Sequence, residues 1–391
     1  MNRGIFLKHR PNFLLLLCII GLIAVGTILI SSASVVQSQQ VTGDPNFYLK
    51  QHIYALIGGT ALMIFGYVVD YNFWKKVAPL LIFASIILLI LVYVPGIGFE
   101  HGGARRWIKW PFFFSPTEVY KLTLIIYLAA WFEKRQNQVK SFLYSTLPFL
   151  VILGITGLLI LFQPDMGTFM VIAVVSGMMY FIAGASLSHV FLMIGIGISG
   201  MIFLIKTAPY RMQRFMVFLN PSADKSDAGY QINQALMAIG TGGLFGLGFG
   251  QSRQKFNYLP EADSDLIYAV AAEELGFLRV AIIFLLYFLI AREGYKVAKK
   301  APDNFSRLLA VGITSWIVIQ AVLNIFANLS LVPLTGIPLP YISKGSTSTL
   351  ILMLASGILL NISKHTEGET RESRLRRRGN WWSYLTGTGR N

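Results

Sequence analysis

The chain has 391 residues, of which 54% are hydrophobic and only 13% are charged, and its formal net charge at pH 7 is +15. A soluble globular domain has about twice that charged fraction, so the composition excludes a water-soluble fold, and we do not interpret the positive charge as a nucleic-acid-binding surface. The single cysteine, Cys18, lies in the first apolar run, which excludes an intramolecular disulfide and a cysteine-rich metal site.

The long apolar segments predict an all-α integral membrane protein with ten transmembrane helices. A span needs roughly 20 apolar residues to cross about 30 Å of hydrocarbon, and a helix bonds its backbone polar groups within its own segment. The first run is too long for the core of a signal peptide, so we interpret it as a retained helix. The predicted spans are 12–34, 53–72, 77–95, 117–133, 143–162, 168–184, 187–206, 271–292, 306–329 and 346–363.

Lysines and arginines predict which side of the membrane each loop faces. With ten spans, most basic loops and both termini fall on one side, which the positive-inside rule makes cytoplasmic. The predicted organisation is one polytopic domain over residues 1–364, followed by a basic cytoplasmic tail, 365–391, that we expect to be disordered. A long outer loop, about 207–270, joins spans seven and eight.

The opposite, outer side carries basic residues that this rule does not explain. An anionic ligand at the outer surface would account for them, and attraction to anionic lipid of the outer leaflet is the alternative. They lie in the loop between spans three and four and in the long outer loop, and include Arg105, Arg106, Arg211 and Arg214.

The first of these loops continues into span four as "GGARRWIKWPFFFSPTEVYK". The adjacent guanidinium groups of Arg105 and Arg106 are suited to clamping a phosphate together. Trp107 stacks on a sugar ring or belongs to an interfacial aromatic belt. Glu118 and Lys121 are three residues apart, so we expect them to pair on one helix face toward an interior cavity.

Further polar motifs lie in the loop before span six and at the start of the long outer loop. In "FQPDMGT", Asp165 is predicted to cap the N-terminus of span six. Arg211 and Arg214 are three residues apart on a short helix and are candidates to share one phosphate partner. The glycine-rich stretch 240–251 is too apolar for a free linker, so we expect it to pack back onto the membrane surface.

An acidic stretch, "LPEADSDLIYAVAAEELG", leads into span eight. Asp265 is the last carboxylate before the apolar run. Partial desolvation there would raise its pKa and suit it to proton abstraction. The alternative is a helix N-terminal acid that interacts with the macrodipole. Glu273 or Glu274 is expected to pair with Arg279, which needs a partner at that depth.

Between spans nine and ten, "LTGIPLPYISKGSTSTL" breaks the helical pattern with prolines and glycines. Broken helices in membranes usually line cavities, where the freed backbone groups find partners. The hydroxyl side chains of this segment, which include Ser346, are predicted to bind a polar headgroup or to cap span ten.

Together these segments resemble the SEDS family, which comprises FtsW, RodA and SpoVE. The motifs "GARRWI", "QPDMGT", "YLPEADSDLIYAVAAEELGF" and "GIPLPYIS" run in family order over about residues 10–364, and "YLPEA" is closer to FtsW than to RodA. The resemblance implies a peptidoglycan glycosyltransferase that polymerises lipid II at the outer face of the bacterial cytoplasmic membrane. It also implies a class B penicillin-binding protein and other divisome or elongasome membrane proteins as partners, and no nucleic acid.

The resemblance also implies roles for single residues. The essential loop aspartate of the family falls on Asp265, its loop tryptophan on Trp107, and its cavity pair on Glu118 and Lys121. We expect Asp265 to act as the base and positive side chains to hold the departing pyrophosphate. No set of protein metal ligands is predicted, although a divalent cation, Mg²⁺ or Mn²⁺, is a possible cofactor. The candidate substrate-binding residues are Arg105, Arg106, Trp107, Glu118, Lys121, Arg211, Arg214, Glu261, Lys344 and Ser346.

The chain departs from the family pattern at several positions, which include "FSPTE" in place of the more usual Gln-Pro-Ser-Glu. Asp263 stands where the family usually has histidine, and Lys344 where it usually has glycine. We expect Asp263 to raise the pKa of Asp265 or to help hold a metal. The competing functional hypotheses are a lipid II flippase or other transporter, and a noncatalytic divisome scaffold.

Overall fold

The computed structural model of the protein describes residues 11–101, 104–109, 113–220, 227–256 and 258–365. The predicted tail lies outside the described residues from residue 366 onward. The helices are α1 (Phe13–Ala33), α2 (Val35–Thr42), α3 (Phe47–Val68), α4 (Tyr71–Leu91), α5 (Pro116–Lys134), α6 (Leu147–Leu161), α7 (Met166–Ile182), α8 (Leu187–Thr207), α9 (Pro209–Leu219), α10 (Asp227–Gly242), α11 (Ile267–Lys299), α12 (Asn304–Asn328) and α13 (Ser346–Lys364). A hairpin of β1 (Gly98–His101) and β2 (Ala104–Ile108) precedes α5.

Each of the ten predicted spans coincides with one of these helices, which confirms the helical membrane fold. Eight helices within the described ranges are long and apolar enough to cross a membrane. The other two are α5, which carries four charged residues among its 19, and α7, which has 17 residues. The count of ten transmembrane spans therefore stays a prediction.

The predicted bounds of three spans were wrong. The third span was placed at 77–95, whereas α4 runs from Tyr71 to Leu91. The second span was placed at 53–72, whereas α3 ends at Val68 and α4 begins at Tyr71. The reason is Asp70, whose side chain accepts a hydrogen bond from the backbone N–H of Asn72 at 2.7 Å and so starts a new helix inside the predicted span. The span predicted at 271–292 belongs to a longer helix, α11.

The hairpin was not predicted. Its strands pair antiparallel, with Phe99 opposite Trp107, and the two residues between them lie outside the described ranges. The hairpin therefore presents its side chains alternately to two faces, which a helical or irregular loop would not do.

Helices α12 and α13 form the centre of the bundle. In both of them 78% of the most apolar stretch is buried, whereas none of that stretch is buried in α8, which lies at the periphery. A Cβ added at Gly357 of α13 would overlap the backbone of Met63 in α3, and so the missing side chain allows the two helices to touch.

The glycine-rich stretch is not a free linker, but it packs on α11, whereas we had expected it to pack on the membrane surface. Helix α11 is broken at Gly276, which has φ 75° and ψ 169°. The break frees two carbonyls, and the stretch bonds them through its own N–H groups: Leu247 donates to Glu273 at 2.9 Å and Gly248 donates to Glu274 at 3.0 Å. Across the break, the N–H of Phe277 returns a bond of 2.9 Å to the carbonyl of residue 243. Non-helical backbone is thereby satisfied within the protein.

The expected pairing of Glu273 or Glu274 with Arg279 is wrong. The carboxylate of Glu274 pairs with the ammonium of Lys255 at 3.0 Å, and both side chains are almost fully buried. Glu273 accepts from Ser252. Arg279 lies beyond the break, and its guanidinium donates to the carbonyl of Phe245 at 2.9 Å. The glycine-rich stretch and the residues after it supply all these partners, which spacing along one helix could not predict.

Replacing Gly276 by alanine is expected to lower the free energy of unfolding by roughly 1–3 kcal/mol, because alanine is strained at this φ and its Cβ would overlap the backbone of Gly246. Thermal unfolding of the purified protein in detergent micelles measures the change. Gly154→Ala is the matched control, since no atom lies within 4 Å of a Cβ added at that position of α6. Equal unfolding temperatures for the two variants would contradict this account of the break.

Candidate active site

Asp265 lies in an irregular loop, residues 259–266, immediately before α11. Its main-chain carbonyl accepts two hydrogen bonds from α12, from Nδ2 of Asn324 at 2.8 Å and from Nδ2 of Asn328 at 2.9 Å. Residues four apart lie on the same face of a helix, so both amides reach one oxygen. The loop is therefore fixed at Asp265 through its backbone, and the carboxylate is not used to hold it.

The same face of α12 carries a third amide one turn earlier. Gln320 donates to the carbonyl of Pro338 at 2.9 Å, and Asn324 donates a second bond to that of Ile337 at 2.8 Å. We call Gln320, Asn324 and Asn328 the amide ladder. It joins the irregular segment 329–345 to the Asp265 loop, so these two non-helical segments share one support.

The predicted pair of Glu118 and Lys121 is present on one face of α5. The ammonium of Lys121 is 2.7 Å from Oε1 of Glu118, and both side chains are buried. Lys121 also donates to Oε1 of Gln320 at 2.8 Å. The buried pair is thus connected to the first rung of the amide ladder, which links it to the support of the Asp265 loop.

Asp265 as a whole residue is partly exposed, but its carboxyl group points into surroundings that disfavour ionisation. Burial raises its pKa to about 7, and the negative charges of Glu261 and Asp165 act in the same direction. The positive charges of Arg106 and Arg214 lower the pKa and offset part of that effect. A helix N-terminus would instead lower the pKa of an acid, so the structure favours desolvation over the macrodipole as the dominant influence.

Gly336 lies directly beside this carboxyl group. Its φ is +67°, and a Cβ added there would lie 3.4 Å from Oδ2 of Asp265. The segment 329–345 therefore passes directly against the acid without a side chain between them. A glycine at this point keeps space open beside the reactive group.

Arg105 and Arg106 do not form a joint clamp, which corrects the prediction for this pair. Successive residues of a strand point to opposite faces. Nε of Arg105 pairs with Glu100 of the same hairpin at 2.9 Å, whereas Arg106 reaches the turn before α7 and lies 3.9 Å from Oδ2 of Asp165. It also donates to the carbonyl of Gln163 at 3.3 Å. Only Arg106 is therefore placed beside Asp265.

Asp165 caps α7 as predicted. Its carboxylate accepts from the N–H of Thr168 at 3.0 Å and from the hydroxyl of the same residue at 2.8 Å. The cap also brings a negative charge close to Asp265 and Arg106, a second consequence that we did not predict.

Arg211 and Arg214 lie on α9, the predicted short helix, but have different surroundings. Arg211 donates to the carbonyls of Leu204 and Leu161, each at 3.3 Å, and so ties α9 to the ends of α8 and α6. Arg214 is exposed and donates to the carbonyl of Leu334 at 3.3 Å, at the edge of the segment beside Asp265. Of the two guanidinium groups, that of Arg214 faces the acid.

The remaining candidate residues lie around this centre. Trp107 is partly exposed on β2, Glu261 is exposed and accepts from the hydroxyl of Ser264 at 2.6 Å, and Ser346 is the partly exposed first residue of α13. Lys344 is paired with Asp263, at 3.0 Å. These four residues thus lie in loops or strands or at the start of a helix, and only Lys344 forms an ion pair among them.

The expectation that Asp263 acts on Asp265 or on a metal is not supported. Its carboxylate is bound by Lys344, and among the described residues no group of three histidine, cysteine, aspartate or glutamate side chains is arranged to hold a metal ion. Burial raises the pKa of Asp263, and Lys344 opposes that rise. A divalent cation remains a prediction of the sequence.

Sequence reasoning missed Asn324 and Asn328. The available signal was a pair of amides one turn apart inside an apolar span, where polar side chains are expected to meet a specific partner. Nothing in the spacing identified that partner as the backbone of the Asp265 loop.

Comparisons with known proteins match most of the chain. The family model for the FtsW/RodA/SpoVE proteins, described as cell cycle proteins, matches residues 12–368. Stage V sporulation protein E of Bacillus subtilis (strain 168) is 40% identical over 361 residues, covering 92% of this chain and 98% of the relative. A probable peptidoglycan glycosyltransferase FtsW of Geobacter sp. (strain M18) is 39% identical over 359 residues, covering 91% and 98%.

Two solved structures share the fold. The rod shape determining protein RodA of Thermus thermophilus has a TM-score of 0.63 and 26% identity, with 91% of this chain and 96% of that one covered. A chain from a peptidoglycan synthase complex, described as coordinating polymerization and crosslinking, has a TM-score of 0.73 and 25% identity, with 90% and 97% covered.

The raised pKa of Asp265 predicts a pH-dependent cost in stability. Below its ordinary pKa of 3.8 the group is protonated in both the folded and the unfolded chain. As the pH rises from there to about 7, only the unfolded chain ionises, so folding loses stability, and above pH 7 the loss is complete. Asp265→Asn removes this loss, so its unfolding temperature should exceed that of the wild type increasingly from about pH 4 to about pH 7 and by a constant amount above that.

Asp44→Asn is the control for the measurement of unfolding temperature. Asp44 is exposed and its pKa is lowered, chiefly by the hydrogen bond from Lys50, so this variant should gain no stability at high pH. Parallel curves for the wild type and Asp265→Asn would show that the carboxyl group is not desolvated.

Proposed function

Because the chain belongs to the FtsW/RodA/SpoVE family of cell cycle proteins, we propose that it is a peptidoglycan glycosyltransferase that polymerises lipid II, with Asp265 as its general base. The observation that carries this assignment is the placement of the Asp265 carboxyl group at the end of an anchored loop, where burial raises its pKa to about 7. This carboxyl group is flanked by Arg106 and Arg214. A base is most effective when its pKa lies near the working pH.

The reaction follows from these groups. The Asp265 carboxylate accepts the proton of the 4-hydroxyl on the acceptor GlcNAc. The hydroxyl oxygen forms a bond to the anomeric carbon of the donor sugar, and the bond from that carbon to the lipid pyrophosphate breaks. An α-linked donor and a β-linked product make the reaction inverting. The proton is thus held by Asp265, and the electron pair leaves with the pyrophosphate.

The departing pyrophosphate requires positive charge at a fixed position. Arg106 and Arg214 are the two cations that act on Asp265, so they are the best candidates to receive it. Arg211 supports α9 and Arg105 is paired within the hairpin, which makes their roles less direct. A Mg²⁺ or Mn²⁺ ion would be held by Asp265 and would supply further positive charge to the leaving group.

The cellular setting is part of the proposal. We place the chain in the bacterial cytoplasmic membrane with both termini cytoplasmic, because its basic loops fall mostly on one side. We propose a class B penicillin-binding protein and other divisome or elongasome membrane proteins as partners. A structural relative that belongs to a peptidoglycan synthase complex supports this assignment. Relatives named FtsW support a role in cell division, with cell-wall elongation as the other setting.

Replacing Asp265 by asparagine is expected to lower the rate of glycan polymerisation at least roughly 100-fold, because no other described carboxylate takes its anchored position. The full-length protein with its class B partner is supplied with labelled lipid II, and glycan ladders are resolved by gel electrophoresis. Asp44→Asn, which alters an exposed carboxylate, should behave as the wild type. Equal product from Asp265→Asn would remove Asp265 as the base. If the wild type yields no product, Asp265-dependent transfer of lipid II between leaflets would favour a flippase, and no transfer a scaffold.

Arg106 and Arg105 provide a second comparison, between two adjacent arginines on opposite strand faces. Arg106→Ala should lower the polymerisation rate roughly 100-fold, because it removes positive charge beside the leaving group. Arg105→Ala breaks an exposed pair on the hairpin and should change the rate at most about threefold. The unfolding temperatures of both variants separate lost chemistry from lost folding. Equal losses of rate would indicate that both guanidinium groups serve the substrate.

A further inference from the structure

Two of the departures from the family pattern, Asp263 and Lys344, contact each other. The ammonium of Lys344 lies 3.0 Å from Oδ2 of Asp263, although 81 positions separate the two residues in the chain. Their backbones are bonded as well, since the N–H of Lys344 donates to the carbonyl of Asp263 at 3.0 Å. The same two residues are thus joined by one neutral and one charged hydrogen bond.

The pair is enclosed on further sides. The side chain of Asp263 is only 2% exposed and that of Lys344 24% exposed. The ammonium lies over the ring of Tyr48 in α3, 3.1 Å from its centroid. The side-chain amide of Gln37 in α2, with its nitrogen turned toward Asp263, donates to both carboxylate oxygens at 3.0 and 2.7 Å. A carboxylate this enclosed loses much of its hydration, and only its positive partner makes the ionised form tolerable.

Three consecutive carbonyls of the Asp265 loop are held from outside it. That of Asp263 accepts from Lys344, and that of Ser264 accepts from the hydroxyl of Ser343 at 2.6 Å. That of Asp265 accepts from the amide ladder. The charged contact between Asp263 and Lys344 lies at the start of this series, two residues from the acid. The ion pair therefore restricts the position of the loop backbone at the first of the three residues, 263–265, whose carbonyls are held.

We propose that Asp263 and Lys344 are positioning residues for Asp265 and act as one unit. Neither touches the reacting atoms. Lys344 without Asp263 leaves a cation with only the ring of Tyr48 and the side-chain amide of Gln37 beside it, and Asp263 without Lys344 leaves a buried carboxylate uncompensated. Each departure from the family pattern thus depends on the other. The effect on catalysis rests on the proposed function, whereas the effect on the loop does not.

Four variants of the full-length protein in lipid nanodiscs test the proposal: Asp263→Asn, Lys344→Met, their combination, and Asp263→His with Lys344→Gly, the residues usual in the family. Hydrogen–deuterium exchange of the peptide over residues 259–266 measures the loop directly. Each single variant should accelerate this exchange about tenfold, because one partner of an enclosed pair is left alone. Both double variants should exchange more slowly than either single one.

Polymerisation kinetics give the second readout. Misplacing Asp265 should lower kcat about tenfold in the single variants with KM for lipid II nearly unchanged, since the pair does not contact the substrate. Both double variants should recover part of kcat. The matched control is Asp44→Asn combined with Lys50→Met, which removes an exposed ion pair on the same side of the protein and should alter neither readout.

The outcomes separate the two proposals. Additive effects of the single changes on exchange, or exchange in residues 259–266 equal to that of the wild type, would overturn the inference. A rise in KM alone would overturn it too, because Lys344 would then act on the substrate. If neither the wild type nor any variant polymerises lipid II, the proposed function fails, and the exchange data still decide the coupling. If the single variants do not fold, a folded double variant supports coupling and an unfolded one contradicts it.

Discussion

The need to bond every main-chain group at each break in a helix shapes the region of this protein around Asp265. Irregular backbone near the membrane is stable only when the protein itself supplies the missing partners. At the break in α11 the partners are N–H groups of the glycine-rich stretch. In the segment 329–345 and the Asp265 loop they are the side-chain amides of α12. The candidate active site lies where the segment 329–345 and the Asp265 loop meet at the side-chain amides of α12.

Charge is distributed according to the same constraint. Buried charges away from Asp265 are paired in compact groups, as in Glu118 with Lys121 and Glu274 with Lys255. Around Asp265 the arrangement differs, because its carboxyl group is influenced by several charges of both signs. A group balanced in this way can change its protonation state at little cost, which suits a base. The paired charges stabilise the bundle, and the unpaired acid is available for chemistry.

Local patterns in the sequence predicted the helices and several of the polar contacts within single helices. Apolar runs located the ten helices, three-residue spacing predicted the pair of Glu118 and Lys121, and a helix-start signal predicted the Asp165 cap. The missed features depend on contacts between distant segments. Asn324 is 59 residues from Asp265, and no periodicity connects them. The separation of Arg105 from Arg106 required the hairpin, whose short strands give a weak pattern. A cap inside an apolar run, as at Asp70, is also easily overlooked because hydropathy continues across it.

The anchoring of the Asp265 loop by carbonyl oxygens has an evolutionary consequence. A carbonyl is the same in every residue type, so the attachment of positions 264 and 265 to the bundle does not depend on which side chains they carry. Mutations there can alter reactivity without detaching the loop, and the amides of α12 continue to hold whatever replaces them. The fold can thus remain constant while the side chains at positions 264 and 265 change. Selection for a new substrate or rate then does not require a new attachment of the loop.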